Sequence, residues 1–263
     1  MHPYTKIFGV QLPSYSLISL VGFLLAGVVA FHLLRSCKTG QRAFLKVTLC
    51  AVVGMFIGAH LLYALTRIED IIIVISEYSE YDSFSDFMRD LLDNSFGMVF
   101  YGGLYGGLLF GFLYAKKRAC CLDELCDVFA VCIPLFHTFG RVGCYFAGCC
   151  YGVKWEKGIA GRMLTTGVKE SAKRFPVQLL EATLLFLLFI TLFLLFKKNI
   201  LRTKLIFVYL LSYAVLRFFT EYMRGDEVRG RLLCFSTSQW ISIVTVLWVS
   251  VYLIVCRRKS SLV

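Results

Sequence analysis

The fold is decided by long apolar runs, of which the clearest is residues 176–196, PVQLLEATLLFLLFITLFLLF. This run contains a single charged residue, Glu181, and it is long enough for a helix that crosses the hydrocarbon core of a bilayer. Of all 263 residues, 58% are hydrophobic and 17% are charged, which leaves too little polar surface to cover a soluble globule. The sequence therefore predicts an all-α polytopic membrane protein, one transmembrane domain over 1–263 without a separate globular domain.

The charges between the apolar runs predict the orientation of the chain. Lys and Arg concentrate in 35–46, 116–118, 197–204 and the tail 257–259, which the positive-inside rule places in the cytoplasm. The stretch 68–96 holds eight acidic residues against one base and is expected outside. About seven spans, with the N-terminus outside and the C-terminus cytoplasmic, satisfy this alternation. The predicted spans are 15–34, 47–67, 97–115, 127–147, 176–196, 205–223 and 238–256.

One basic loop departs from the alternation. Residues 151–175 carry six Lys and Arg residues, yet they lie outside if all seven runs span. We interpret the loop either as a docking surface for the acidic headgroups of membrane lipids or as an exception that the rule tolerates. The net charge of +11 is explained by topology and headgroup contact, and we expect no nucleic acid partner.

A charged residue inside a span is costly and therefore a candidate for function, and four such residues stand out. They are Arg141, Glu181, Arg217 and Glu221. Arg217 and Glu221 are four residues apart on one helix face, so a structural ion pair is the simpler interpretation. Further polar groups near the same helix end, Tyr213, Arg224 and Asp226, favour a phosphate site instead.

Glycines form two groups with different expectations. Gly103, Gly107 and Gly111 have the small-xxx-small spacing that lets membrane helices approach closely. The segment 140–152 contains Gly140, Gly143, Gly148 and Gly152 beside Arg141, and so many glycines should leave backbone N–H groups free to face a ligand. The second group predicts an anion site.

At these residues the sequence resembles the prolipoprotein diacylglyceryl transferase family, along nearly the whole chain. Gly140-Arg141-Val142-Gly143, followed by Gly148 and Gly152, is similar to the signature stretch of the family. Residues 176–181, PVQLLE, resemble the Pro-x-Gln-Leu-Tyr-Glu element that begins a span. Residues 213–224, YAVLRFFTEYMR, resemble the Tyr-x-x-x-Arg-Phe-x-x-Glu-x-x-Arg helix.

The resemblance implies seven spans and a specific reaction. Members move a diacylglyceryl group from phosphatidylglycerol to the lipobox cysteine thiol of a prolipoprotein, in the inner (cytoplasmic) membrane of bacteria. No cofactor or metal is implied, and we expect a monomer. The implied catalytic residues are Arg141, Arg217, Tyr101 and Tyr213, and the implied substrate-binding residues are Tyr15, Gly140, Gly143, Gln178, Glu181, Glu221, Arg224 and Gln239.

The sequence also departs from the family pattern. The essential histidine of the usual His-Gly-Gly is Tyr101 here, and polar positions of the Gly-Arg-Ile-Gly-Asn and Asn-Gly-Glu elements become Cys144, Ala147 and Cys149. His137, one turn before Arg141, is a candidate replacement for the lost imidazole, although a lone histidine in a span is more often structural. Two alternatives to the family reaction follow: a lipid-binding paralogue that has lost catalysis, and a transferase with another acceptor.

Three cysteines in the glycine-rich segment have no counterpart in the expected chemistry. Cys144, Cys149 and Cys150 supply only three ligands, at a spacing that is poor for tetrahedral zinc, so we assign no metal. A redox pair or an acyl-carrying thiol near Arg141 is an alternative, because a cation lowers the pKa of a thiol. Apolar packing is the commonest role of cysteine in a membrane helix.

Overall fold

The computed structural model describes residues 4–7, 10–81, 83–95, 97, 100–118, 121–154, 174–225, 231–232 and 235–260. Short hairpins pair β1 (Tyr4–Ile7) with β2 (Val10–Pro13) and β3 (Arg231–Leu232) with β4 (Phe235–Ser236). The rest of the described chain is mainly helical. The helices are α1 (Ser14–Leu34), α2 (Gln41–Thr66), α3 (Ile68–Ser76), α4 (Phe84–Ser95), α5 (Phe100–Lys117), α6 (Leu122–Ala147), α7 (Val177–Lys197), α8 (Leu205–Glu221) and α9 (Thr237–Ser260).

Five of the described helices, α1, α2, α6, α7 and α9, are long and apolar enough to cross a bilayer. Their outer faces carry large exposed apolar side chains, such as Val28, Leu187 and Leu247, which a soluble protein would bury. These features confirm the expected all-α polytopic membrane class. The two other predicted spans are helical as α5 and α8, with 18 and 17 residues. The number of seven spans and the orientation remain predictions.

The chain forms two compact units. The first consists of Met1–Leu34 with Cys126–Val263, and the second of Arg35–Leu125.

In the second unit, glycines bring α2 and α5 together. A Cβ atom added to Gly106 would lie 3.0 Å from the Cα of Gly58 and still closer to the carbonyl oxygen of Gly54. Gly102 meets Gly58 in the same way. The expected close helix approach is therefore confirmed, because only a residue without a side chain allows this distance.

The acidic stretch of the second unit contains two short helices, α3 and α4, which pack on each other. Val74 of α3 is buried, and the rings of Tyr78 and Phe87 meet edge to face at 4.8 Å. No span was predicted in this stretch, and both helices are shorter than a span, with 9 and 12 residues.

In the first unit, a buried carboxylate holds the start of α8. The side chain of Asp127, near the beginning of α6, accepts the backbone N–H groups of Thr203 at 2.5 Å and Leu205 at 3.0 Å. The first N–H groups of a helix have no partner within the helix, and Asp127 supplies one from another element. This contact fixes α8 relative to α6.

At the opposite end of α8, extended backbone joins three segments. Gly152 pairs with Arg224, and Lys154 pairs with Arg174. A Cβ atom on Gly152 would come within 3.0 Å of the Met223 carbonyl oxygen and nearer still to that of Phe175, so glycine is required here. The pairing joins the chain after α6 to the start of α7 and the end of α8.

Candidate functional site

A network of buried ion pairs connects α6, α7 and α8. The Oε2 atom of Glu181 lies 2.6 Å from Nε of Arg141, and its Oε1 atom accepts a hydrogen bond from Arg217 at 3.1 Å. Only 2% of the Glu181 side chain is exposed. One carboxylate from α7 therefore holds two guanidinium groups, one on each neighbouring helix.

Arg217 has a second acidic partner on its own helix. Glu221 lies one turn further along α8, and its carboxylate is 2.5 Å from Arg217. The expected i,i+4 pair thus exists, but it is part of a larger network. The sequence analysis identified Glu221 as the obvious partner of Arg217 and did not anticipate that Glu181 bridges both arginines.

The start of α9 provides further contacts to this network. Ser238 accepts a hydrogen bond from Arg217 at 3.1 Å. The side-chain oxygen of Gln239 accepts the backbone N–H of Ser236, and its amide nitrogen donates to the carbonyl of Phe218 on α8. Gln239 thereby ties α9 to α8, while Ser238, which we had not singled out, contacts the arginine directly.

Aromatic rings lie beside Arg141. The ring of Tyr213 is 5.3 Å from that of His137 and stacks at 5.9 Å on Tyr209. Since His137 is one helical turn before Arg141, α6 presents the imidazole and the guanidinium to the same part of α8. The structure therefore brings His137, Arg141 and Tyr213 together.

The two glycines that flank Arg141 have different surroundings. A Cβ atom on Gly143 would lie 3.0 Å from the ring of Tyr15, so this glycine lets α1 pack against α6. A Cβ atom on Gly140 would meet no atom of the described residues within 4 Å. Packing within the described residues therefore gives no reason for glycine at position 140, next to the arginine.

The charges around the network suit an anion with a single negative charge. Among the described residues, Arg141, Arg217 and Arg224 carry three positive charges against two negative charges on Glu181 and Glu221. The sum of +1 matches the single negative charge of a phosphodiester. An arginine fork is also the side chain that best fits two phosphate oxygens.

Two apolar grooves run along α8. One, of about 650 Å³, lies between α7 and α8 and includes Leu184, Leu211 and Met223 in its lining. A smaller groove, of about 240 Å³, lies between α8 and α9. Val215 and Phe219 line both, so α8 lies between two shallow, open apolar grooves.

The three cysteines after Arg141 form a cluster. The sulfur atoms of Cys144, Cys149 and Cys150, the thiol cluster, all lie within 4.8 Å of one another. The amide of Gln178 donates to the carbonyl of Cys149 at 2.8 Å, which ties the cluster to the start of α7. Hydrogen bonds from the other two thiols, together with the nearby Arg224 guanidinium, hold the pKa of the Cys150 thiol below its usual range.

Some predicted residues fall outside this description. The backbone of Tyr101 belongs to α5 of the second unit, but its side chain lies outside the described part of the structure. Asp226 and most of the basic loop, 155–173, also lie outside it. The roles expected of these residues remain predictions.

Comparison with known proteins gives a consistent result. The chain is 30% identical over 246 residues to the phosphatidylglycerol–prolipoprotein diacylglyceryl transferase of Clostridium tetani, with 92% of each chain covered. It is 29% identical over 249 residues to the Clostridium perfringens transferase 2, covering 90% of this chain and 88% of that protein. The family description of prolipoprotein diacylglyceryl transferases matches residues 3–255. The chain therefore belongs to the prolipoprotein diacylglyceryl transferase family.

Proposed function

We propose that this protein transfers a diacylglyceryl group from phosphatidylglycerol to the lipobox cysteine thiol of a prolipoprotein. The observation that carries the proposal is the buried network in which Glu181 holds Arg141 and Arg217 on facing helices. Membership of the family and the names of the relatives support the same reaction. The two apolar grooves along α8 would take the two acyl chains of the lipid, whose phosphate would lie at the network.

In this mechanism the arginines act on the leaving group. The thiolate sulfur of the acceptor attacks the glyceryl carbon, a C–S bond forms, and the C–O bond to phosphate breaks. The departing glycerol phosphate gains negative charge, which the forks of Arg141 and Arg217 stabilise. Glu181 and Glu221 would orient the guanidinium groups, because Glu181 contacts Nε of Arg141 and Nη1 of Arg217, and Glu221 contacts Nη2 of Arg217.

The remaining predicted residues have proposed roles in the same reaction. Tyr101, on the family resemblance alone, or His137 would assist removal of the thiol proton, and Tyr213 would line the site beside His137. Gly140 would admit the lipid headgroup beside Arg141, while Tyr15 and Gly143 would form the wall between α1 and α6. The ends of α7, α8 and α9 would be held in position around the substrate by Gln178, Arg224 and Gln239. The role of Tyr101 follows from the family resemblance alone, and the other roles follow from that resemblance and from position within the first unit.

The orientation belongs to the same proposal. The network lies at the C-terminal ends of α6 and α8 and the N-terminal ends of α7 and α9, which the loop charges assign to the outer side of the inner membrane. The protein would be a monomer with seven spans, and the lipid would enter it from the outer leaflet of the membrane. A reporter that fluoresces only in the cytoplasm should be bright after Lys259 and dark within 80–90. The reverse pair of signals would exclude this orientation.

The reaction is tested by incorporation of labelled diacylglyceryl from phosphatidylglycerol into a lipobox peptide by membranes that contain the protein. Arg141→Lys and Arg217→Lys keep the charge and lose the fork, so transfer should fall at least about 100-fold at unchanged expression. The matched control is Arg202→Lys, at the opposite end of α8, where the guanidinium contacts Phe196 and Asp127. Full transfer by both network variants would refute the proposed phosphate site.

The tyrosine in place of the family histidine favours one alternative, a lipid-binding paralogue without catalysis. A phenol, with a pKa of about 10, is a poor base at neutral pH unless cations assist it. If Tyr101 works as a base, Tyr101→Phe should abolish transfer and Tyr101→His should preserve or raise it. Transfer that appears only in Tyr101→His would establish the paralogue. Lipid turnover without peptide labelling would indicate another acceptor.

A further inference from the structure

The thiol cluster has the geometry of a metal site. Three thiolates bound to one ion at Zn–S distances of about 2.3 Å lie about 3.8–4.0 Å apart. The sulfur atoms of Cys144, Cys149 and Cys150 already lie within 4.8 Å of one another, and all three cysteines are free. A shift of less than about 1 Å would therefore close them around an ion, within the range of ordinary side-chain rotation.

The backbone explains how so short a segment presents three sulfur atoms together. Gly148 has φ 77° and Cys150 has φ 58°, both in the left-handed region. These two positions turn the chain back on the end of α6, so that Cys149 and Cys150 face Cys144. The Cys149 thiol donates to the Cys144 carbonyl at 3.8 Å. The spacing of the three cysteines had indicated poor geometry for tetrahedral zinc, whereas the turn brings their sulfur atoms together.

The surroundings select the kind of ion. Sulfur ligands favour Zn²⁺ and other thiophilic ions over Mg²⁺ and Ca²⁺, which bind oxygen. Zn²⁺ with three thiolates has a net charge of −1, and Arg224, which contacts Cys150, offsets it. No other His, Cys, Asp or Glu in the described part of the chain joins the group, so a fourth position would be open to water.

We propose that Cys144, Cys149 and Cys150 bind one Zn²⁺ ion, which fixes the turn between α6 and the extended segment 151–154. The proposed ion has a structural role and takes no part in the transfer reaction. It would hold in place the Cys149 carbonyl that Gln178 contacts and the thiol that Arg224 contacts, and so stabilise the junction of α6, α7 and α8.

Binding is measured without reference to activity. Reduced protein in detergent, freed of metal, is titrated with Cd²⁺ as an optical probe and then with Zn²⁺ in competition. We expect one Cd²⁺ per chain with the ultraviolet absorption of cadmium–thiolate bonds, displaced by Zn²⁺. The triple variant Cys144→Ser/Cys149→Ser/Cys150→Ser should lose this absorption. The control triple Cys37→Ser/Cys50→Ser/Cys121→Ser removes as many thiols outside the cluster and should keep it.

Stability provides a second readout. Zn²⁺ binds the folded chain, so saturating metal should raise the unfolding temperature of the control triple by about 5 °C and leave the cluster triple unchanged. If the cluster triple does not fold, the single variants Cys149→Ala and Cys150→Ala take its place. Equal absorption in both triples, absence of binding in the unaltered protein, or a disulfide within the cluster of the freshly purified protein would each overturn the proposal.

Discussion

The two units hold their membrane helices together in opposite ways. In the second unit, α2 and α5 meet backbone to backbone at glycines of both helices. In the first unit, α6, α7 and α8 surround buried charges, and one carboxylate connects two arginines. A backbone contact of the first kind leaves no room for a ligand. A charged network of the second kind keeps donors that a ligand can use, at a cost in desolvation.

Removing the central carboxylate of the first unit should have the largest effect on stability and transfer. Within the described residues, Glu181→Ala removes the ion pair of Arg141 and leaves Arg217 with Glu221 and Ser238. An uncompensated buried charge costs about 3–5 kcal/mol, so the free energy of unfolding should fall by that amount and transfer should be lost. The midpoint of unfolding in mixed micelles of increasing SDS content measures the first effect.

A companion variant distinguishes charge from packing. In Glu181→Ala combined with Arg141→Met, no unpaired guanidinium remains on α6, and part of the lost stability should return. If the double variant is as unstable as the sum of its single variants, Glu181 and Arg141 act independently. A loss below about 1 kcal/mol for Glu181→Ala would place the pair among weak, solvent-screened ion pairs.

The same comparison shows what the sequence can and cannot predict. Apolar runs and their lengths predicted the helices, because each run has to satisfy its own backbone in the bilayer. Arg217 and Glu221 were predicted as neighbours because helix geometry fixes their spacing. The bridge by Glu181 could not be predicted, because it depends on how α7 sits between two other helices.

The glycines of α5 illustrate a finer limit. We expected the row Gly103, Gly107 and Gly111 to let helices approach closely, and Gly102 and Gly106 approach the backbone of α2 more tightly still. The two rows have the same spacing and differ by a rotation of about 100°, which periodicity cannot detect. Both rows face α2. The sequence therefore predicted a close helix contact of α5, but it did not predict which row of glycines lies at the centre of that contact.

The second prediction concerns the glycine contact itself. Gly106→Ala forces a methyl group against the carbonyl of Gly54, where only backbone movement can relieve the clash. Overpacking of this kind costs about 1–3 kcal/mol, so unfolding should occur at lower SDS content while transfer per folded molecule stays within about twofold. Gly27→Ala is the matched control, because a Cβ atom there meets no atom of the described part of the chain within 4 Å. Equal stability of the two variants would contradict the backbone contact.

The third prediction concerns Gly140 of the first unit, which is expected to leave space for the ligand and not to be required for helix packing. Gly140 resembles Gly27 in lying on a long helix with open space at its Cβ position, but it adjoins Arg141. If the lipid headgroup occupies that space, one added methyl should lower transfer about tenfold or more and leave the unfolding midpoint unchanged. Gly27→Ala should change neither quantity.

Because both substitutions add the same atom to the same kind of open helix face, a loss of transfer confined to Gly140→Ala locates substrate beside the arginine. Unchanged transfer in Gly140→Ala would mean that the headgroup does not approach α6 at this position, and the phosphate would then have to be placed nearer Arg217.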